Sequence, residues 1–156
     1  MRAPQLQLAA GVLLALAACS ESVSPEPLGD YESWPTMGGA TYTVSGKAPG
    51  HGDTIRVIYV NPIAANAESI SPSYPTGSTI VKEIRENVDG VAGDIRYVAI
   101  MRREDTIVTE GFEDEGGWLF SEQRPKDAPE VYFGFCWARC HVAASYNGAF
   151  YDYRTK

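Results

Sequence analysis

The sequence predicts an α+β fold, built mainly on an antiparallel β-sheet with a few helices. Four short segments are rich in β-branched and aromatic residues, and turn signals such as Asp89-Gly90 and Gly116-Gly117 separate them. Short strands joined by brief helical pieces favour an antiparallel arrangement over a parallel one. The predicted strands are Thr54–Val60, 78–84, 94–103 and 117–122.

Three short helices are predicted around these strands. Residues 30–34 begin at Asp30, a residue type that caps helices, and Pro35 ends the segment. Residues 63–69 follow Asn61, a second potential cap. Residues 131–144 lack proline and can hold a further short helix.

The first eighteen residues have the features of a lipoprotein signal peptide. Arg2 precedes an apolar run, 8–18, that is too short to cross a bilayer as a helix. The run ends in Leu-Ala-Ala-Cys at 16–19, which resembles the lipobox of bacterial lipoproteins, where cleavage leaves a lipidated cysteine at the new N-terminus. We therefore expect lipidation of Cys19. An ordinary secretory signal followed by an incidental cysteine is the alternative.

Cleavage would leave a lipidated tether, 19–29, and one folded domain, 30–156. It removes Arg2 and no acidic residue, so the net charge changes from −7 to −8. Such an acidic surface repels nucleic acid and anionic lipid headgroups, so the membrane is contacted through the lipid alone. Ser20 after the cysteine favours the outer membrane, and we expect the domain to face the periplasm.

The two remaining cysteines fall within one hexapeptide, 136–141, with the pattern C-x-x-x-C-H. Two thiols followed by a histidine are typical of c-type haem attachment, in which the thiols bond the porphyrin and the histidine binds iron. Here the spacing is one residue wider, but positions four apart still share a helix face. The alternatives are a disulfide between Cys136 and Cys140, and a zinc site, for which His51 is the only other histidine.

From residue 46 onward the chain resembles the cytochrome P460 family. The matching blocks lie in the family's order and cover about two-thirds of the chain, and the strongest is 77–83. The wider cysteine spacing departs from the family's pattern. The blocks are Gly-Lys-Ala-Pro at 46–49, Ile-Arg-Val-Ile-Tyr-Val-Asn at 55–61, Tyr-Pro-Thr-Gly-Ser-Thr-Ile-Val-Lys-Glu at 74–83, Gly-Gly-Trp-Leu-Phe at 116–120, and the Cys/Cys/His motif.

The resemblance implies a set of site residues. One covalent haem c would be held by Cys136 and Cys140, with iron bound by His141. Lys82 shares a predicted strand face with two isoleucines, and the family's lysine at this position is bonded to the porphyrin; the alternative is a lysine that extends to solvent. Arg56 would contact a haem propionate or the distal pocket, or lie on the surface. The resemblance further makes Glu130 a candidate proton acceptor on the distal side, or else a solvated loop residue.

Other residues with possible haem roles receive simpler interpretations. Met101 is predicted to be a core methionine rather than a sixth iron ligand, and His51 a solvent-facing turn residue. The aromatic residues near the motif are expected to line the core or the haem pocket. They are Trp118, Phe120, Phe133, Phe135 and Trp137.

The family resemblance also implies the activity, which is oxidation of hydroxylamine or related nitric oxide chemistry at an open haem iron. A small nitrogen-containing substrate, a redox partner and a homodimer follow from the same resemblance. The alternatives are a non-catalytic gas-binding haem protein of the c′ type, an electron carrier, and a haem-free lipoprotein with a local disulfide.

Overall fold

The computed structural model of the chain describes residues 27–36, 42–44, 52–69, 73–104 and 116–154. The proposed signal peptide, Cys19, residues 46–49 and His51 lie outside these ranges. No helix in the described part of the chain is long and apolar enough to cross a membrane.

Within these ranges, six strands form one sheet in which sequence neighbours are also spatial neighbours and every pair is antiparallel. This meander confirms the predicted α+β class. The four predicted strands are present, and two short edge strands, the first and the last, were missed. The strands are β1 (Tyr42–Val44), β2 (Thr54–Val60), β3 (Thr79–Val88), β4 (Val91–Arg103), β5 (Trp118–Gln123) and β6 (Val131–Tyr132).

The β3–β4 hairpin is the longest pairing in the sheet, and it turns at the predicted dipeptide. Asp89 and Gly90 both have positive φ, 53° and 86°, and Val88 pairs with Val91 across them. Two central residues of positive φ define the turn type whose twist matches that of a hairpin. The turn sets the pairing at the tip of the hairpin, irregularities between Ile84 and Asn87 then shift it, and Lys82 stands opposite Ala99 on β4 and opposite Ile58 on β2.

The helices are shorter than the sequence suggests. α1 (Pro62–Ala65) is capped as expected, because the Asn61 side chain accepts a hydrogen bond from Ala64 N at 3.0 Å. Tyr31–Ser33 is a 3-10 helix, and Asp30 makes no side-chain cap there, contrary to the prediction. The cysteine motif lies on α2 (Phe135–Arg139) and continues into a 3-10 helix, His141–Ala143.

The sheet buries a core on each of its faces. On one face, which we call the site face, lies a cluster with Ile58, Ile80, Met101 and Phe120, and Cys136 packs against it. We call the other the N-terminal face. There, the segment 27–36 covers the apolar side chains of β3 and β4, and the buried residues are Leu28, Tyr31, Val81, Val98 and Ile100. Alternation along β3 therefore sends consecutive residues into two different cores.

The folded domain includes Leu28, which we expected to belong to the tether. Its side chain is buried, as is that of Tyr31, whose hydroxyl donates to Glu83 Oε1 at 2.9 Å. Glu83 also forms an ion pair with Arg85 at 2.7 Å. The buried carboxylate is therefore satisfied from both sides, and the N-terminal segment packs as part of the domain.

The cap residue Asn61 generates a stability prediction. Besides capping α1, its Oδ1 accepts from Thr79 N at 3.0 Å, and its Nδ2 donates to Gly77 O at 2.8 Å. Asn61→Ala should lower the free energy of unfolding by about 1–2 kcal/mol, because it removes the cap and the bonds to the start of β3. Urea denaturation followed by tryptophan fluorescence measures this loss.

The matched control is Asn66→Ala, which removes one exposed hydrogen bond, from Nδ2 to Pro62 O at 2.9 Å. It should change the free energy of unfolding by less than about 0.5 kcal/mol. Equal effects of the two substitutions would show that the Asn61 bonds to β3 contribute nothing.

Candidate functional site

A cleft opens on the site face, between the middle of the sheet and the segment that carries the cysteine motif. It is partly open to solvent, and its cavity volume is about 30 Å³, room for one or two water molecules. Most of its lining is apolar, from Ile80, Ala99, Met101 and Phe120. The chemically active side chains in it are Lys82, Glu122, Cys136 and His141.

The cysteine motif reaches the cleft through a break between two short helices. Cys140 N donates to Cys136 O at 3.3 Å, so the two cysteines lie one helical turn apart. At Cys140 the backbone leaves the helix, with φ −137° and ψ −55°, and the 3-10 helix begins at His141. This break directs His141 into the protein, where it is 8% exposed. Both cysteines are half-buried, and no disulfide joins them.

One hydrogen bond sets the orientation of His141. Its Nδ1 lies 2.6 Å from the carbonyl oxygen of Gly148. Because a carbonyl can only accept, Nδ1 must carry the proton, and in the neutral ring Nε2 then has the available lone pair. The ring also packs against Phe120 and Phe150, at centroid distances of 4.7 and 5.2 Å.

The imidazole of His141 is held neutral by its surroundings. Its pKa is lowered to about 4, first by burial and then by the positive charge of Lys82, and the hydrogen bond to Gly148 partly opposes both effects. A histidine must be neutral to bind a metal ion. His141 therefore has the tautomer and the protonation state of an iron ligand.

Two cationic side chains lie together on the site face. Lys82 is half-buried, and its pKa is lowered to about 8, first by burial and then by the charge of Arg56, while Cys136 raises it. Arg56 stands opposite Ile84 on β3 and is 6% exposed. Its Nε and Nη2 atoms are buried and have no hydrogen-bond partner among the residues that the structure describes. Since a buried unpaired cation is costly, these atoms suit an anionic group such as a haem propionate.

Glu130 lies away from the cleft, contrary to the expectation that it would take protons there. Along their strands, Arg102 and Ser121 lie between residues of the site face, so their side chains lie on the N-terminal face. Glu130 binds both of them there. Its carboxylate contacts Arg102 Nη2 at 2.5 Å and accepts from the Ser121 hydroxyl at 2.6 Å. A carboxylate in a buried ion pair stabilises the fold and is poorly placed to take up protons from a ligand in the cleft.

Glu122 is the carboxylate that lines the cleft, and sequence analysis missed it. Its Oε2 accepts from Arg124 Nε at 2.6 Å, and Arg124 is itself largely exposed. The signal was available in the alternation of β5, which places Trp118, Phe120 and Glu122 on one face. The Asn147-Gly148 dipeptide, a strong turn signal, was also overlooked, although it supplies the acceptor for His141.

The remaining expectations have mixed outcomes. Met101 is 6% exposed and belongs to the core, as predicted, while also lining the cleft. Trp118 and Phe120 are buried in the same core. Phe135 is 53% exposed, so it does not line the core. The described part of the chain contains no cluster of three His, Cys, Asp or Glu side chains that could hold a metal ion.

Comparison with known proteins agrees with this geometry. The family model for cytochrome P460 matches residues 28–151, which is most of the chain. The chain belongs to the cytochrome P460 family. Membership implies a haem cofactor and iron binding. No curated protein matches the chain significantly.

The side chains of this P460 family member fit a haem. The cleft is mostly apolar, His141 presents Nε2 as a donor atom, and Cys136 lies in the same cleft. The buried guanidinium of Arg56 suits a propionate. Cys136, Cys140 and His141 would hold the group, while Arg56 and Lys82 would supply positive charge beside it.

The lowered pKa of His141 predicts an acid-sensitive haem-free protein. Folding holds its pKa near 4, below the ordinary value of 6.5, so the unfolded chain binds more protons between these pH values. The free energy of unfolding should therefore fall as the pH drops from about 6.5 to about 4, by at most roughly 3 kcal/mol from this group. Denaturation of the haem-free protein across this range measures the slope.

The control is His141→Phe, which keeps an aromatic ring between Phe120 and Phe150 and does not titrate. Its slope should be shallower than that of the wild type over the same range. Parallel pH profiles for the two proteins would show that His141 is not buried in its neutral form.

Proposed function

We propose that this P460 family member is an exported lipoprotein, anchored at Cys19, that carries one haem c attached to Cys136 and Cys140. His141 would bind the iron, which would take a small nitrogen-containing ligand. The lipobox-like residues 16–19 support the anchor, and the C-x-x-x-C-H pattern supports the covalent attachment. The protein faces the periplasm from the outer membrane, works with a redox partner and forms a homodimer.

The observation that carries the proposal is the hydrogen bond from His141 Nδ1 to Gly148 O, at 2.6 Å. It leaves Nε2 as the donor nitrogen in a cleft that Cys136 also lines. Histidines that bind metal commonly donate their other ring N–H to a carboxylate or a backbone carbonyl.

We assign oxidation of hydroxylamine, or related nitric oxide chemistry, as the activity. When bound, the haem supplies an iron that takes the nitrogen ligand and accepts electrons from it. Glu122 receives a proton released by the oxidised substrate, since its carboxylate lines the cleft. Arg124 holds that carboxylate in place. Arg56 adds positive charge, which favours acceptance of electrons and binds a propionate.

Lys82 has a further proposed role as a third covalent attachment. Its pKa of about 8 leaves a substantial fraction of the amine neutral near neutral pH, so Nζ can act as a nucleophile. Bonding of Nζ to a porphyrin carbon removes one N–H and one C–H hydrogen, and a two-electron oxidant accepts both hydrogens. The product is therefore two hydrogens lighter than haem protein that lacks this bond.

The second candidate function is gas binding without turnover, as in c′-type haem proteins. The apolar lining from Ile80, Ala99, Met101 and Phe120 favours it, because such a surface accepts a small uncharged ligand such as nitric oxide. An electron carrier is a third use of the same haem. Activity with hydroxylamine and an artificial oxidant under anaerobic conditions separates the enzyme from both.

Covalent haem attachment is tested by producing the full chain in a host that matures c-type cytochromes. The wild type should retain haem on a denaturing gel, and so should Lys82→Arg, through its thioethers; Lys82→Arg/Cys136→Ala/Cys140→Ala should lose it, because no covalent bond remains. His141→Met should keep the stained band but change the absorption spectrum, since only the iron ligand differs. A colourless wild type with Cys136 and Cys140 joined in a disulfide would overturn the proposal.

Intact mass of the same samples tests the Lys82 bond. The wild type should weigh two hydrogens less than the sum of chain, lipid and haem, while Lys82→Arg should match its own sum. A Soret band far to the red of ordinary c-type haem should accompany the bond and disappear in the variant. Equal mass deficits in both proteins would exclude the bond.

Glu122→Gln should lower kcat for hydroxylamine oxidation by roughly a hundredfold, because an amide cannot accept the proton. The matched control is Glu130→Gln, which changes the carboxylate on the opposite sheet face. It should lower thermal stability and leave kcat within a few-fold of the wild type. The reverse ranking of the two variants in kcat would return the proton-acceptor role to Glu130.

A further inference from the structure

Trp118, at the start of β5, makes a polar contact that packing alone does not require. The side chain is fully buried in the site-face core, edge-on to Tyr74 at a centroid distance of 5.4 Å. Its indole Nε1 donates a hydrogen bond to the carbonyl oxygen of Asn147 at 2.6 Å. A buried indole N–H needs a hydrogen-bond partner. Here the partner is the Asn147 carbonyl, which directly precedes the Gly148 carbonyl that accepts from His141.

Asn147 and Gly148 form the centre of a two-residue turn. Both have positive φ, 48° and 87°, and the flanking Tyr146 and Ala149 exchange backbone hydrogen bonds of 3.0 and 3.2 Å. The turn presents two successive carbonyls to two different side chains. The Asn147 carbonyl accepts from Trp118, and the Gly148 carbonyl accepts from His141.

Contact between the turn and the indole depends on glycine. A Cβ atom at Gly148 would lie 2.7 Å from Trp118 Nε1 and 2.8 Å from its Cδ1. Any side chain there would push the turn off the indole, and the positive φ would add strain. Gly148 therefore allows the carbonyl to reach His141 and the turn to rest on Trp118 at the same time.

We infer that Trp118 is a positioning residue for the iron ligand, acting through the turn. By holding the Asn147–Gly148 peptide, it fixes the direction of the Gly148 carbonyl, and so the length and angle of the bond to His141 Nδ1. That bond determines how strongly Nε2 donates to a metal. This inference rests on the proposed function in one respect, that His141 binds iron.

The expected consequence is electronic as well as structural. A strong Nδ1–H hydrogen bond raises the basicity of the imidazole and favours the more positive ferric iron. Trp118→Phe keeps an aromatic ring but removes the N–H donor, so the turn loses its anchor and the bond to Nδ1 lengthens. The iron–histidine bond should weaken and the midpoint potential should rise.

The experiment uses haem-loaded full chain. Resonance Raman of the ferrous protein should show the iron–histidine stretching band at lower frequency in Trp118→Phe than in the wild type, with a positive shift of the midpoint potential. Gly148→Ala should shift both quantities in the same direction, because its Cβ displaces the turn from the indole. This second variant keeps the test valid if Trp118→Phe does not fold.

Tyr74→Phe is the matched control. Its hydroxyl accepts from Tyr153 N at 3.0 Å in the same core, and the substitution leaves the Trp118 indole and the carbonyls of the turn unchanged. It should reduce thermal stability but leave the stretching band and the potential unchanged. A purely structural role for Trp118 would give Trp118→Phe that same pattern, which would overturn the inference alone. A wild type without haem, or without an iron–histidine band, would instead overturn the proposed function and this inference with it.

Discussion

The central strand β3 must bury two consecutive charged residues, Lys82 and Glu83, on opposite faces of one sheet. Burial of a charge is costly unless the charge is paired or neutralised. The protein meets this constraint in different ways on the two faces of the sheet. The N-terminal face stabilises the fold, and the site face carries the side chains that do the chemistry.

On the N-terminal face, charged groups are paired within the chain. Glu83 contacts Arg85 and the hydroxyl of Tyr31, and Glu130 contacts Arg102 and Ser121. The Tyr31–Glu83 hydrogen bond and the Arg102–Glu130 ion pair join elements that are distant in sequence, so the N-terminal segment and the region before α2 are fastened to the sheet. Paired in this way, these carboxylates act as structural groups.

On the site face, the cations lie together. Burial lowers the pKa of both Lys82 and Arg56, and the charge of Arg56 lowers the pKa of Lys82 further. Arg56 also has buried nitrogens without a hydrogen-bond partner in the described part of the chain. His141 enters the same region as a neutral ring. The haem that family membership implies would relieve both conditions, since its propionates are negative and its iron would take the lone pair of Nε2. The electrostatics of the site face therefore suit a haem.

The local sequence determined the strands, the Asp89-Gly90 turn, the Asn61 cap and the cysteine–histidine motif, because these depend on near neighbours in the chain. Alternation along β3 likewise placed Lys82 on an apolar face. Short-range patterns could not show which carboxylate enters the cleft. Glu122 and Glu130 are eight positions apart, and the sheet register and the Arg102 ion pair assign them to opposite faces. Nor could these patterns show that Trp118 and His141 both contact the turn that contains Gly148. The five-residue helix α2 is too short to be stable alone, so its position depends on tertiary contacts, and only the folded chain decides where the imidazole points.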